Sequence, residues 1–543
     1  MRVGVDVGGT NTDAVLMEGK EVIAWTKNPT SPEVSHGVAA AIEAVIGKGG
    51  IPRERVSAVM VGTTHFTNAL VERRGLDRVG ILRLASPSGE ALPPLTAWPA
   101  ELRASVGDAV FLLPGGYEVD GREIAPLDES AVRAAARELR RRGIGAVAVT
   151  SVFAPLNARM EARAAAIIRE EHPEASITVS NAIGRIGLIE RENASILNAA
   201  LTSLAGRIVS SFEAALRALG IAAPLYITQN DGTLISAARA AAYPVTTIGS
   251  GPTNSMRGAA FLTGCRDAIV MDVGGTTTDI GVLTNGFPRE SSIAVDIGGV
   301  RTNFRMPDVL ALGFGGGTRI HLDPALYRSE GLEEGALRIG PDSVGYRITE
   351  EAMIFGGGVL TASDVAVAAG RAHFGSGGRP PQFSPAVLAA LLARFRRLLE
   401  EGIDRMKTSR EPARILAVGG GSFLIPEALT GVAEVIRAPH AHVANAVGAA
   451  IAQVGGQVER VVNYDSVPRP ETMARLRAEA LSHVLAAGGD PDTVDVVDVE
   501  EVFLSYLPGR TAQVRMRAVA DLGGQPAAAV NSGEAGSGAV HGH

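Results

Sequence analysis

Short apolar runs separated by glycine-containing turns dominate the beginning of the chain. The runs at residues 3–7, 13–17 and 21–26 have the length of β-strands. From residue 34 to 46, apolar residues instead recur every three or four positions, which is the spacing of an amphipathic helix. We therefore predict a three-stranded meander followed by a helix that has Ser31 as its N-cap.

The same two patterns continue through most of the chain. An apolar run predicts a strand at 144–153, and helical periodicity extends over about 185–219 and 385–406. Residues 85–127 contain several prolines and predict an irregular connection. After about residue 460 the pattern is weaker and predicts no particular arrangement.

A glycine-centred segment occurs twice. The first copy reads Asp6-Val7-Gly8-Gly9-Thr10-Asn11-Thr12-Asp13, and the second reads Asp272-Val273-Gly274-Gly275-Thr276-Thr277-Thr278-Asp279. Each copy follows an apolar run and is closed by a further glycine turn. The copies lie about half a chain length apart, which is too far for a solenoid repeat. The repeat therefore predicts two similar domains that face each other.

Each copy has the composition of a phosphate-binding hairpin. Glycine lets backbone N–H groups approach a phosphate closely, and threonine hydroxyls can donate to phosphate oxygens. The leading aspartate can hold Mg²⁺ through water or orient a nucleophile. A single copy is compatible with an ordinary turn, whereas two copies predict that the hairpins bind a chain of phosphate groups from both sides. The predicted phosphate-binding residues are Gly8, Gly9, Thr10, Asn11, Thr12, Gly274, Gly275, Thr276 and Thr277.

A third glycine-rich element follows the apolar run at 414–418. It reads Gly419-Gly420-Gly421-Ser422. A flat adenine ring can lie against such a backbone, so these four residues are predicted to contact adenosine. The chain contains no P-loop motif, and Gly313 to Thr318 does not form a Rossmann fingerprint.

These three elements, in this order, resemble the sugar-kinase/Hsp70/actin superfamily of ATP-binding proteins. The resemblance implies an α/β fold with two RNase-H-like domains, ATP and Mg²⁺ in the interdomain cleft, and a short C-terminal extension. By this resemblance Asp6 and Asp272 are the metal-side carboxylates. The implied domains are 1–180, 181–460 and 461–543, and the Gly-, Ser- and His-rich end from about 531 predicts a disordered tail.

Four further segments resemble the hydantoinase A/5-oxoprolinase family. They are 61–73, 229–234, 250–255 and 313–318, and the resemblance extends over about residues 2–455. The chain differs from many members in having Ser-Gly-Pro-Thr-Asn in place of Ser-Gly-Pro-Ala-Gly. Its C-terminal region is also shorter than in the full-length members.

The family resemblance implies ATP-dependent opening of a cyclic amide such as a hydantoin, 5-oxoproline or a lactam. Phosphoryl transfer to the carbonyl oxygen would make the carbon electrophilic, and a second, hydantoinase B-like subunit would complete hydrolysis. Acetone carboxylase β subunits are similar, so carboxylation is an alternative. A small-molecule kinase and an ATP-driven reactivating chaperone also remain open, because the superfamily fold permits all of these.

Five residues are candidates for contact with the reacting groups. Asp279 follows the threonines of the second hairpin and is expected to orient the attacking group. Thr64, His65, Asn68 and Asp231 are candidates for substrate contact. For His65 a structural role, and for the two aspartates a role in a turn or helix cap, is an equally reasonable interpretation.

Composition narrows the possible partners and compartment. The net charge of −7 and an aromatic content of 4% argue against a nucleic-acid partner. Cys265 is the single cysteine, which excludes an internal disulfide and favours the cytoplasm. The longest uncharged run, 438–458, contains too many polar residues for a membrane span. We expect a protein that acts away from membranes and forms an oligomer.

The repeat leads directly to a test. Replacing Asp6 or Asp272 with asparagine should abolish ATP turnover while the fold is retained, because each change removes one metal-side carboxylate at nearly constant volume. Turnover is measured as ADP release, and circular dichroism checks the fold. Normal turnover in either variant would contradict the assignment of these two residues.

Overall fold

The computed structural model describes residues 1–9, 11–30, 34–291, 295–304, 306–333, 335–505, 507 and 509–523. The predicted N-cap Ser31 and the predicted tail from 531 lie outside these residues. The chain forms two compact units, of which the first is Met1–Ala452 and the second begins at Gln453. The domain limits at 180 and 460 remain predictions.

The N-terminal part of the first unit contains two sheets. In one, the order is β10-β9-β4-β1-β2-β3, with β1, β2 and β3 antiparallel and with β4 parallel to both β1 and β9. The other is a parallel sheet of order β6-β5-β7-β8. The strands are β1 (Arg2–Val7), β2 (Asn11–Glu18), β3 (Glu21–Pro29), β4 (Ala58–Thr63), β5 (Val79–Ser86), β6 (Ala109–Pro114), β7 (Ala146–Ser151), β8 (Ser176–Val179), β9 (Leu225–Thr228) and β10 (Thr233–Ser236).

Helices connect these strands, and one of them lies in the segment 85–127 that the sequence predicts to be irregular. Residues 85–127 are not irregular throughout, because they contain a helix at 100–106 and a strand at 109–114. Pro99 is the N-cap of that helix and Pro114 ends the strand, so these prolines bound regular elements. The helices are α1 (Val34–Gly49), α2 (His65–Glu72), α3 (Ala100–Val106), α4 (Glu129–Arg141), α5 (Arg159–Glu171), α6 (Leu188–Ala218) and α7 (Ala237–Ala242).

The second half of this unit repeats the arrangement of the first sheet. An antiparallel hairpin, β11 with β12, is again joined by two parallel strands in the order β12-β11-β19-β20, and the predicted helix at 385–406 and strand at 414–418 are confirmed. The elements are α8 (Ser250–Thr263), β11 (Ala268–Val273), β12 (Thr278–Thr284), β13 (Phe287–Pro288), β14 (Val295–Ile297), β15 (Val300–Thr302), β16 (Val309–Leu312), β17 (Thr318–His321), β18 (Arg338–Ser343), α9 (Ile348–Glu351), α10 (Ala362–Ala368), α11 (Pro385–Met406), β19 (Ala413–Val418), β20 (Val432–Ile436) and α12 (Ala444–Ile451).

The second unit is a small antiparallel sheet with one helix. Its strands have the order β21-β23-β22, and its elements are β21 (Gln453–Asn463), α13 (Arg469–Ala486), β22 (Asp495–Phe503) and β23 (Thr511–Ala520). Gly456 lets α13 approach β21, since a Cβ there would lie 2.6 Å from Ala480 O. Among the described residues, no helix is both long and apolar enough to cross a membrane.

Helices α8 and α12 cross at very short distance in the first unit. A Cβ on Gly258 of α8 would lie 1.9 Å from the carbonyl oxygen of Ala444, and a Cβ on Gly448 of α12 would lie 1.8 Å from that of Asn254. Met256 of α8 packs with apolar residues of β11, β12 and β19, whereas α12 packs on β2. The crossing therefore connects the hydrophobic cores of the two repeated sheets.

We expect Gly258→Ala and Gly448→Ala to destabilise the protein by about 3 kcal/mol each, because the added methyl group meets backbone atoms that cannot move aside. Urea denaturation measures the change. Gly206→Ala is the matched control: it lies inside helix α6, its Cβ would meet nothing within 4 Å, and it should stabilise by up to about 1 kcal/mol. Equal stability of the Gly258 and Gly206 variants would contradict the close crossing.

Candidate active site

The carboxylate of Asp6, on β1, is held by amide donors from two helices. Asn254 of α8 donates from Nδ2 to Oδ1 at 3.2 Å, and Asn445 of α12 donates from Nδ2 to Oδ2 at 3.0 Å. The neighbouring strand β4 leaves room because its residue 62 is glycine, and a Cβ there would lie 2.5 Å from Asp6 Oδ1. Asp6 is therefore buried with both carboxylate oxygens hydrogen-bonded.

Asp272 has the equivalent position on β11. Its Oδ2 accepts a hydrogen bond from the hydroxyl of Ser255, the residue that follows Asn254 on α8. Gly419, after β19, covers the other side: a Cβ there would lie 2.2 Å from Asp272 Oδ1, and its φ of 85° is in the left-handed region. Two successive residues of one helix thus contact the two repeated aspartates.

The two hairpin turns have the same backbone geometry. The N–H of Gly8 donates to Asn11 O at 3.0 Å, and the N–H of Gly274 donates to Thr277 O at 2.9 Å. The other predicted phosphate-binding residues differ in exposure, with Gly9, Thr276 and Thr277 exposed, Asn11 and Gly275 partly exposed, and Thr12 buried with its hydroxyl 3.3 Å from that of Thr30. Thr10 lies outside the described residues.

Two runs of three glycines, 315–317 and 419–421, donate backbone hydrogen bonds to the second hairpin. Gly316 N–H donates to Gly274 O at 3.0 Å, and Gly317 N–H donates to Gly275 O at 2.6 Å. From the predicted adenosine motif, Gly421 N–H donates to Val273 O at 2.7 Å. Sequence reasoning did not assign the first triplet any part in the site, although three consecutive glycines are a signal of close backbone approach.

The predicted adenosine residues surround the end of β19. Gly420 is exposed, and Ser422 is partly exposed at the start of a short 3-10 turn, with its N–H donating to Gly419 O at 3.3 Å. An exposed glycine beside a partly exposed serine leaves backbone surface open to a flat ring.

Lys27 is the functional candidate that the sequence analysis missed. It lies on β3 opposite Asp13, and its Nζ donates to the two carboxylate oxygens of Asp13 at 2.7 and 2.6 Å. Burial raises the pKa of Asp272, and the positive charge of Lys27 partly offsets this rise. A Cβ on Gly420 would lie 3.9 Å from Lys27 Cε. The side chain of Lys27 therefore extends from Asp13 of the first hairpin towards the predicted adenosine motif.

The aspartates carry more negative charge than this lysine neutralises. Burial, together with the nearby charge of Asp13, raises the pKa of Asp6 to about 6, although the hydrogen bonds of its two amide donors oppose this rise. Burial also raises the pKa of Asp272. The pKa of Asp279, raised by burial and by Asp272, is about 7. The side chain of Asp279 has no hydrogen-bond or ion-pair partner among the described residues, and Asp279 is partly exposed.

Two of the predicted substrate residues lie beside the end of β1. The hydroxyl of Thr64 donates to Val7 O at 3.2 Å. His65 begins α2, and its Nδ1 lies 2.6 Å from Thr63 Oγ1. Burial lowers the pKa of His65, which favours the neutral ring. Both residues are therefore within the same part of the fold as Asp6.

The other two substrate candidates have different surroundings. Asn68 is exposed on α2. Asp231 lies in the turn between β9 and β10, where its Oδ1 accepts hydrogen bonds from Thr233 N at 2.9 Å and Thr233 Oγ1 at 2.7 Å. These contacts are those of an aspartate that stabilises a turn.

Comparison with known proteins identifies the family. The profile described as "Hydantoinase/oxoprolinase N-terminal region" matches residues 2–172, and the profile "Hydantoinase/oxoprolinase" matches residues 191–376. The chain belongs to the hydantoinase/oxoprolinase family. The matched ranges include both repeated hairpins, Lys27 and the first turn of α8.

Individual relatives of this family member are distant. The caprolactamase subunit alpha of Pseudomonas jessenii is 29% identical over 373 residues, which is 63% of this chain and 51% of the relative. The acetophenone carboxylase gamma subunit of Aromatoleum aromaticum is 27% identical over 399 residues, which is 68% of this chain and 53% of the relative. The matched part thus spans about half the length of these curated relatives.

A solved structure shares the fold. The crystal structure of ATP-dependent caprolactamase from Pseudomonas jessenii matches with a TM-score of 0.73 and 21% identity, and the match covers 96% of this chain and 88% of that one. The mixed α/β architecture with several sheets is therefore that of a known family fold, as predicted.

Asp279→Asn tests the raised pKa. Ionised Asp279 is disfavoured in the folded protein, so this group should contribute a loss of stability to the wild type as pH rises from 3.8 to about 7. The asparagine variant lacks this loss, and its stability relative to wild type should increase over the same range. Urea denaturation across this range measures the difference, and Glu54→Gln, at an exposed position, controls for net charge. A pH-independent difference would contradict the burial of this charge.

Proposed function

We propose that this chain is the ATP-using subunit of an enzyme that activates a cyclic amide of the hydantoin, 5-oxoproline or lactam type for ring opening. The observation that carries this proposal is the paired set of aspartate hairpins, which α8 connects through Asn254 and Ser255. The similarity to a caprolactamase subunit supports the amide as substrate class. The two halves of the first unit would be RNase-H-like domains with ATP between them.

The residues of the site fit a magnesium–nucleotide complex. Mg²⁺ prefers oxygen ligands and is commonly held by one or two carboxylates together with phosphate and water. Asp6 and Asp272 would supply those carboxylates. Among the described residues, no group of three or more His, Cys, Asp or Glu side chains could hold a metal by itself. When bound, Mg²⁺ supplies neutralisation of the phosphate charge.

The proposed reaction balances as hydrolysis of both the amide and ATP. The γ-phosphorus gains a bond to the carbonyl oxygen and loses its bond to ADP. Water then adds to the carbon and gives a proton to Asp279, whose raised pKa suits a general base near neutral pH. The C–N bond breaks and nitrogen takes a proton, which leaves an acyl phosphate. A second water then adds to its carbonyl carbon, and the C–O bond to phosphate breaks, so that phosphate leaves and a carboxylate remains. The products are a ring-opened amino acid, ADP and phosphate.

The hairpin backbones would position the phosphates in this reaction. The exposed tips of both turns offer N–H groups, and Gly419 to Ser422 would contact adenosine. Lys27, which is bonded to Asp13 and lies near Gly420, would balance charge on the phosphate tail. Thr64 and His65 would face the substrate. As with the relatives named as subunits, a second subunit would complete the enzyme, in a cytoplasmic oligomer.

ATP-dependent carboxylation is the second candidate, favoured by the similarity to an acetophenone carboxylase subunit. There the activated carbonyl compound would form a new C–C bond to a carboxyl group instead of reacting with water. The same hairpins would serve both reactions, because each begins with activation of a carbonyl oxygen.

A substrate panel tests the proposal. The purified chain, alone and co-expressed with a hydantoinase B-like partner, is incubated with Mg²⁺ and ATP and with hydantoins, 5-oxoproline, lactams or simple ketones. We expect one cyclic amide to stimulate ADP release and to yield ring-opened product in equal amount. The Asp6→Asn and Asp272→Asn variants control for contaminating ATPase.

Product analysis separates the alternatives. Incorporation of labelled bicarbonate would establish the carboxylase, and release of a stable phosphorylated substrate would establish a kinase. ATP turnover that responds only to a partner protein, with no organic product, would identify a reactivating chaperone. Any of these three results would contradict the hydrolase proposal.

A further inference from the structure

The first turn of α8 lies against the end of β1. One turn along the helix, Asn254 donates to Asp6. Gly251 faces Thr64, since a Cβ on Gly251 would lie 3.7 Å from Thr64 Cγ2, and the hydroxyl of Thr64 donates to Val7 O. The N-terminus of α8 is therefore adjacent to both the first aspartate and a predicted substrate residue.

Three successive backbone N–H groups at this helix end lack an acceptor in the described part of the chain. They belong to Gly249, Ser250 and Gly251. Gly249 is the N-cap, with a φ of 85°, and it has no side chain that could accept a hydrogen bond from the first turn. Gly249 and Gly251 are partly exposed, whereas Ser250 between them is buried. Free N–H groups at a helix N-terminus favour an anion.

The hydroxyl of Ser250, in the same helix turn, also lacks a partner among the described residues. Ser250 is 1% exposed, so this hydroxyl is buried. Two other hydroxyls near this helix end do have partners, because Thr253 donates to Asn230 O at 2.7 Å and Ser255 donates to Asp272. A buried hydroxyl without a partner is unfavourable unless a ligand accepts or donates the missing hydrogen bond.

We propose that residues 249–251 form an oxyanion-binding subsite, in which the three N–H groups and the Ser250 hydroxyl donate to one ligand group beside Asp6. The ligand chemistry is a phosphoryl group during transfer or a carboxylate of the substrate. Use of the subsite in catalysis rests on the proposed function. Binding of a simple anion does not, because it requires neither ATP nor turnover.

Ser250→Ala in the full chain tests the subsite. The melting temperature of wild type and variant is measured with increasing inorganic phosphate, and separately with acetate, at ionic strength held constant with sodium chloride. We expect one of these anions to stabilise wild type saturably, and its dissociation constant to rise about tenfold in Ser250→Ala, since a charge-assisted hydrogen bond is lost. Without anion, Ser250→Ala should be at least as stable as wild type, because its hydroxyl has no protein partner.

Thr253→Ala is the matched control from the same helix turn. It removes a buried hydroxyl that has a protein partner, so it should lower the melting temperature without anion and leave the dissociation constant of the anion unchanged. Phosphate that binds only at the glycine hairpins would stabilise wild type and Ser250→Ala with the same dissociation constant. That result would overturn the proposal, as would the absence of stabilisation by either anion.

The two anions distinguish the sources of the ligand. A Ser250-dependent effect of phosphate assigns the subsite to the phosphoryl group, and a Ser250-dependent effect of acetate assigns it to a substrate carboxylate. Either supports an oxyanion subsite. A Ser250-dependent effect without any ATP-dependent ring opening would retain the subsite and reject the proposed function. Ring opening without a Ser250-dependent effect would support the proposed function and reject the subsite.

Discussion

The crossing of α8 and α12 is the constraint on which the site depends. Two glycines, Gly258 and Gly448, let the helix backbones touch. At this separation Asn254 and Asn445 both reach Asp6, one at each carboxylate oxygen. The next residue of α8, Ser255, reaches the second aspartate. A larger side chain at the crossing would separate the donors from the acceptors, so the geometry around Asp6 depends on glycine at both positions.

The repeated hairpins are alike in backbone and unlike in their surroundings. Asp6 has two amide donors, whereas Asp272 has one hydroxyl donor and a glycine backbone packed against it. Burial holds the charges of several aspartates in a small volume, with Lys27 bonded to one of them. An arrangement with surplus negative charge is unfavourable alone and favourable once cationic ligands enter. The two aspartates therefore have different hydrogen-bonding environments in spite of their common sequence.

The local features of this fold could be predicted from sequence, and the long-range ones could not. The hairpins follow from glycines within one short segment, and the helix at 385–406 follows from its periodicity. Lys27, Asn254 and Asn445 gave no such signal, because each acquires its role through a neighbour distant in sequence.

The prediction also failed where proline was read as a disruption. Between 85 and 127, Pro99 begins a helix and Pro114 ends a strand. Proline is favourable at such limits because it fixes φ and needs no hydrogen-bond acceptor for its nitrogen. The prolines therefore marked the ends of elements that the weaker apolar pattern between them did not reveal.

The placement of the two amide donors has a consequence for biosynthesis. Strand β1 can pair with β2 as soon as both have left the ribosome, because they are adjacent in the chain. The carboxylate of Asp6 on β1 can bond to its two amide donors only after Asn254 and then Asn445 have been synthesised. Asn445 is added 439 residues after Asp6. During most of translation the Asp6 carboxylate therefore stays hydrated or meets other partners. Non-local contacts of this kind slow folding, so the nascent chain holds an incomplete site until the first unit has almost been synthesised.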